Sequence, residues 1–173
     1  WIRINSKKQI DKSGQIAKTG IVNSKALGNY LNQIGEFWYQ TIVKSFDTND
    51  FSLDFIRGLS IADGAATLTE LTAYNIIKQI TVLCSEKSKI ILCGGGRKNK
   101  FLIKRIKKNI IDYKAELLMK LKMIDDLGID GDFVESQAFA YLAIRSYLNL
   151  PISLPETTGV REPCTGGIII KNF

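Results

Sequence analysis

Residues 90–106 read IILCGGGRKNKFLIKRI: an apolar run, three consecutive glycines, then a basic stretch carrying apolar residues at helical spacing. A short apolar run closed by glycine predicts a buried strand over residues 90–93. Phe101, Leu102, Ile106 and Ile110 recur by helical turns, so a helix starts at Asn99 with its cations on the solvated face. A second strand is expected within ELLMKLKMI (116–124), and a strand–helix–strand crossover joins parallel strands. Gly94, Gly95 and Gly96 then bring bare backbone to the carboxyl end of a strand, where open α/β sheets bind ligands. The helix that follows offers free N–H groups to an anion. The run matches neither GxGxxG nor GxxxxGK[ST], so taken alone it reads equally as a nucleotide loop or as a structural turn.

Outward from this unit the pattern is helical. NSKALGNYLNQIGEFWYQTIV (23–43) places Leu27, Leu31, Ile34, Trp38 and Ile42 at spacings of three and four, with Ser24 as the expected N-cap. DGAATLTELTAYNIIKQITVLC (63–84) predicts a long helix, started either by Asp63 or by the capping-box pair Thr67 and Glu70. Asp63 beside Gly64 reads as a helix-start device and not as a metal ligand. DFVESQAFAYLAIRSYLN (132–149) is the last helix, capped by Asp132, ended by Pro151, and carrying Leu142 on its buried face. The tail over residues 151–167, punctuated by proline and glycine, reads as ordered loop. The fold expected is a mixed α/β, helix-rich single domain over residues 1–173.

Composition narrows the classes of function. A chain of 173 residues, 45% hydrophobic and 24% charged, is an ordinary globular one-domain length and mix. No apolar run approaches the roughly 20 residues of a membrane helix, and WIRINSKKQIDKSG has no signal-peptide core, so a soluble, non-exported protein is expected. The sequence holds no histidine, which removes Ser-His-Asp and Cys-His catalysis. Cys84, Cys93 and Cys164 are unclustered, so neither a zinc site nor a disulfide framework is expected. The net charge of +7, with Arg97, Lys98, Lys100, Lys104, Arg105, Lys107 and Lys108 close together, raises nucleic acid as a partner. The apolar stripe among those cations, and the lack of an RNA-binding aromatic motif or zinc finger, set that class aside. Neither nucleic acid nor membrane is an expected partner.

GLSIADGAATLTELTA (58–73), LCGGGRKNKFL (92–102), DLGIDGDFVESQAFAYLAIRS (126–146) and LPETTGVREPCTGG (154–167) resemble, in that order, the carboxyl-terminal half of the anhydro-N-acetylmuramic acid kinase family. The resemblance runs from about Asp47 onward. It implies the carboxyl-terminal lobe of an actin-like, ribonuclease H-like ATPase fold, related to sugar kinases and heat-shock ATPases. It also implies a cytoplasmic bacterial enzyme of cell-wall sugar recycling that uses ATP and Mg²⁺. The implied reaction phosphorylates the 6-oxygen of anhydro-N-acetylmuramic acid while water opens the anhydro ring, giving N-acetylmuramic acid 6-phosphate.

In this reading Gly94, Gly95 and Gly96 line the adenosine, with Asn99 beside them at the helix start. Glu135 matches a substrate-facing glutamate, although as a first-turn carboxylate it is equally favoured by the helix dipole alone. Lys44, Ser45 and Asp47, with Asn49, Asp50 and Phe51, match a family loop of the form PPKSLDRNDF bordering the sugar pocket. Val43 here replaces a proline and Thr48 an arginine. The family's GTSxDG phosphate loop and DTGPGN base motif do not occur in this sequence, so no catalytic residue is expected in this chain and the chain alone is expected to be inactive. The expected partners are the sugar, a separate amino-terminal half and a second copy of the chain. The alternative is a non-catalytic remnant that folds and binds nucleotide weakly.

Overall fold

The computed structural model describes residues 1–39, 50–85 and 87–170. The chain divides into two compact units, Trp1–Met123 and Ile124–Phe173; the first is mostly helical with a small parallel sheet, and the second combines helices with irregular segments. The first unit runs α1 (Ile2–Asn5), α2 (Ser24–Tyr39), α3 (Ile61–Leu83), β1 (Ile90–Leu92), α4 (Lys100–Lys114) and β2 (Leu121–Met123). Short 3₁₀ turns link several of these.

The strand–helix–strand unit forms as the sequence predicts. β1 and β2 pair in parallel, with Ile90 opposite Leu121 and Leu92 opposite Met123, and α4 is the crossover between them. The expectation of a buried strand is corrected. Ile90 is buried, but Ile91 is 43% exposed. Among the described residues β1 has one neighbouring strand and packs a single face on helices, so alternate side chains point outward.

The core beneath that face joins Ala73 and Ile77 of α3, Ile90 of β1, Ile106 and Ile110 of α4, and Leu117. A second cluster joins Leu27 and Tyr30 of α2 to Leu71 of α3. There the Tyr30 and Phe55 rings stack with centroids 4.2 Å apart.

Helix starts differ from expectation because residues one to three positions earlier reach the orphan amides better. Asn23, not Ser24, caps α2: its Oδ1 accepts a hydrogen bond from the Ala26 amide at 2.9 Å. α3 begins before both expected starts. Ser60 is its cap, accepting from the Asp63 amide at 3.0 Å while its hydroxyl donates to the Asp63 carboxylate at 2.7 Å. Thr67 and Glu70 therefore lie inside the helix and do other work. The buried Thr67 hydroxyl accepts from the Asn23 amide at 3.0 Å, tying α2 to α3. Glu70 accepts from Asn109 at 3.0 Å and pairs with Arg105, both on α4. That hydrogen bond pushes the Arg105 guanidinium's pKa further up. The cations of α4 are thus not all on a solvated face.

The second unit holds α5 (Val134–Tyr147) and α6 (Pro155–Thr158). Asp132 is not the N-cap of α5. That position falls to Phe133, which makes no side-chain cap bond, because a turn closed by the Phe133 amide on the Asp130 carbonyl at 3.1 Å delays the helix. The helix stops at Tyr147, before Pro151, where Asn149 takes a positive φ of 54°. Arg145 then donates to the Pro151 carbonyl at 2.6 Å, and Ser146 to the Gly166 carbonyl, fastening the tail to the helix end. The expected buried face of α5 is also corrected: the helix buries no residue, and Leu142 is half-buried. An isolated antiparallel bridge between Ser153 and Cys164 is the other fixed point of this unit.

Candidate functional site

The glycine turn stands at the carboxyl end of β1, as the sequence implies. Gly94 has φ +73° and ψ 180°, a region that essentially only glycine occupies. Gly95–Lys98 then makes one 3₁₀ turn that hands the chain to Asn99. A Cβ added at Gly94 or Gly95 would meet no atom within 4 Å, so this backbone faces open space. Arg97, counted among the basic residues by composition, is buried here: its guanidinium donates to the Gly94 carbonyl at 3.1 Å and braces the turn from inside. Nothing in the sequence pattern distinguished it from its exposed neighbour Lys98.

Asn99 is the N-cap of α4, as expected, its Oδ1 accepting from the Leu102 amide at 3.0 Å. It also lines a cavity of about 370 Å³ together with Trp1, Arg3, Gln9, Asp11 and Thr69. Asp11 contributes geometry there, since its two carboxylate oxygens accept from the Ile16 and Ala17 amides at 2.8 and 2.9 Å. Gly14 packs directly on Asn99. A Cβ on Gly14 would lie 2.3 Å from Asn99 Oδ1 and 2.5 Å from Phe101 Cβ, so only glycine permits the approach. The Ser-Gly dipeptide at positions 13 and 14 was the available signal for that turn.

A second cavity, of about 590 Å³, lies between α2 and the segment after residue 50. Asn23, Asn29, Tyr30, Gln33 and Ser52, with one cation (Lys25) and one carboxylate (Asp54), give it a polar, hydrogen-bonding lining of the sort that suits a sugar. Burial pushes the Tyr30 phenol's pKa up. These positions carry no sequence motif and were not anticipated. Lys44, Ser45 and Asp47 lie outside the described residues. Phe51, at the end of that loop, packs on the Leu27, Tyr30 and Leu71 cluster.

Asp63 proves to be a helix-start residue. One carboxylate oxygen accepts from the Ile21 amide at 2.7 Å and the other from Ser60 at 2.7 Å. The Ile21 bond foremost, and Ser60 second, hold its pKa below the usual carboxylate value. Glu135 stands exposed in the first turn of α5 in the second unit. Cys84 is half-buried against the first core cluster, whereas Cys93 and Cys164 are exposed free thiols.

An open glycine turn at the end of a parallel strand, leading into a capped helix that returns to the neighbouring strand, defines a parallel α/β unit set in a mostly helical domain. Comparison with known proteins carries the assignment to a family. The sequence profile of anhydro-N-acetylmuramic acid kinase matches residues 1–172. The anhydro-N-acetylmuramic acid kinase of Pelagibacter ubique (strain HTCC1062) is 41% identical over 181 residues, covering 100% of this chain and 46% of that protein. Its namesake from Zymomonas mobilis subsp. mobilis is 39% identical over 169 residues, covering 98% of this chain and 44% of the relative. That of Agrobacterium fabrum is 34% identical, covering 99% and 44%. The chain belongs to the anhydro-N-acetylmuramic acid kinase family, a family of sugar kinases, and spans less than half the length of these relatives.

Proposed function

We propose that this chain is the carboxyl-terminal part of a two-lobe, actin-like kinase acting on 1,6-anhydro-N-acetylmuramic acid. ATP supplies the γ-phosphoryl group, the sugar's 6-oxygen receives it, and water opens the anhydro ring to leave N-acetylmuramic acid 6-phosphate. The observation that carries this reading is the family match along residues 1–172, joined to an unobstructed glycine turn where the resemblance implies adenosine.

The residues fit that role in a specific way. Bare backbone at Gly94 and Gly95 gives a flat nucleoside room to approach, Arg97 keeps the turn in shape, and Asn99 fixes the start of α4. When bound, Mg²⁺ offsets phosphate charge. Among the described residues there is no group of three Cys, Asp or Glu able to hold it, so none is assigned to it. Glu135, Lys44, Ser45 and Asp47 are the sugar-side candidates. The phosphate loop and the base that takes water's proton belong, in this reading, to an amino-terminal half bearing the GTSxDG and DTGPGN motifs. The enzyme works in the cytoplasm, and none of the described helices is long and apolar enough to cross a membrane.

The test is an assay with ATP, Mg²⁺ and the anhydro sugar, using the chain alone and then with a separately expressed amino-terminal half of a relative. The chain alone is expected to give no turnover above background and the pair to give turnover. Gly95→Ala is expected to weaken ATP binding without unfolding the protein, because its Cβ meets nothing in the fold. Turnover by the lone chain that Glu135→Gln abolishes would overturn the reading and make Glu135 the base.

A further inference from the structure

Beyond the kinase reading, we infer that the first unit carries a separate binding site for a phosphate-bearing ligand, formed where the turn at residues 13–18 lies on the first two turns of α4. A cavity of about 420 Å³ opens there, lined by Ser13, Gln15, Lys18, Lys100, Phe101 and Lys104. Three lysines from two separate segments line one space. Among the described residues no side chain of the three makes a hydrogen bond or ion pair, and none of the lining residues is acidic. The nearest carboxylate in sequence, Asp11, is turned onto the Ile16 and Ala17 amides and lines a different cavity. Both carboxylates of α3 are engaged elsewhere, Asp63 by the Ile21 amide and Ser60, and Glu70 by Arg105 and Asn109. Like charges gathered without counter-charge repel, and an anion among them relieves that repulsion.

The site is also built, in the sense that its two walls are locked together. Gly14 seats the turn on Asn99 and Phe101 at a distance that excludes any side chain. Ser13, immediately before it, is held at φ +57°, a conformation that costs a non-glycine residue energy and persists where the surroundings enforce it. The result places a hydroxyl and a side-chain amide, both neutral donors, beside the lysines. The half-buried Phe101 ring forms an apolar floor. Lysine binds phosphate as a point charge without demanding one geometry, so the combination suits a phosphate group attached to a partly apolar body. None of the glycine turn's residues, nor Asn99, lines this cavity, so this ligand is distinct from the adenosine proposed above.

The experiment is a calorimetric titration of the full chain with pyrophosphate at 0.15 M salt, comparing Lys104→Gln, Lys18→Gln and Lys107→Gln. Lys107 sits on the same helix, is exposed, and does not line the cavity, so it controls for overall charge. Saturable binding is expected, weakened about tenfold by each of the first two changes and by less than about twofold by the third. Competition by ADP or by N-acetylmuramic acid 6-phosphate then assigns the site to a nucleotide or a sugar phosphate, and competition by neither assigns it to inorganic phosphate. Equal weakening by all three variants, or no saturable binding, would overturn the inference. The titration needs no kinase activity, so its outcome is independent of the assay above.

Discussion

Glu70 on α3 and Arg105 on α4 form an ion pair in which the two side chains are only 13% and 20% exposed, and Asn109 completes it by donating to the second carboxylate oxygen at 3.0 Å. α3 and α4 share the core cluster that buries Ile90 of β1, so this network helps fix the glycine turn after β1 relative to the rest of the unit. Removing one partner strands the other charge in a site that water reaches poorly. Glu70→Ala should lower unfolding stability by about 3 kcal/mol, the low end for a broken buried pair. Arg105→Ala should cost a similar amount, and the double variant less than the sum, as read by urea denaturation. A loss under about 0.5 kcal/mol for Glu70→Ala would show that the pair is merely superficial.

Ile110 is 0% exposed, packed among α3, β1 and the turn that carries Leu117. Ile110→Ala leaves a cavity there and should cost about 2–5 kcal/mol. Leu142→Ala, on the half-buried side of α5, should cost about 1 kcal/mol, because little apolar surface leaves water at that position. Thermal or chemical unfolding of the two variants side by side checks the ranking.

Gly20 and Gly28 should respond to alanine with opposite signs. A Cβ at Gly20 would lie 2.0 Å from the Ala62 carbonyl oxygen, which is backbone and cannot swing aside, so Gly20→Ala should cost about 1–3 kcal/mol. Gly28 sits within α2 with nothing within 4 Å of the added Cβ. Gly28→Ala should therefore stabilise by about 0.4–1 kcal/mol, through the reduced freedom of the unfolded chain.

Asp63 makes part of the fold's stability depend on acid pH. Its folded pKa lies below the ordinary value of 3.8, so the carboxylate's contribution is fully present above that value and is lost as pH falls through the lower folded one. Asp63→Asn should lower stability at pH 7 and flatten the decline as pH falls below the ordinary carboxylate value of 3.8. An acid slope unchanged by the substitution would place the titrating group elsewhere.

The strand, the glycine turn, the helix from Asn99 and the parallel return at residues 121–123 were all legible in sequence, because each rests on local chemistry. Apolar runs seek burial, glycine opens the backbone, and an Asn side chain reaches an amide three residues ahead. The family resemblance was legible for the same reason, being carried by contiguous stretches. Cap positions were less so. Asn23 and Ser60 took the places expected of Ser24 and Asp63, since several polar residues stood within reach of each helix start and the backbone path chose among them, whereas at α5 a turn closed on Asp130 moved the cap position from Asp132 to Phe133, which bonds no amide.

Long-range relations were decided by the tertiary structure alone. Sequence treats Arg97, Arg105 and Lys104 as three similar cations, yet one braces the glycine turn, one joins the Glu70 network, and one borders an open cavity. Likewise nothing in the word DKSG reveals that its glycine must touch Asn99, some 85 positions away. Such choices depend on which groups remain unpaired once helices pack, and periodicity describes a helix's own faces without saying what will stand opposite them.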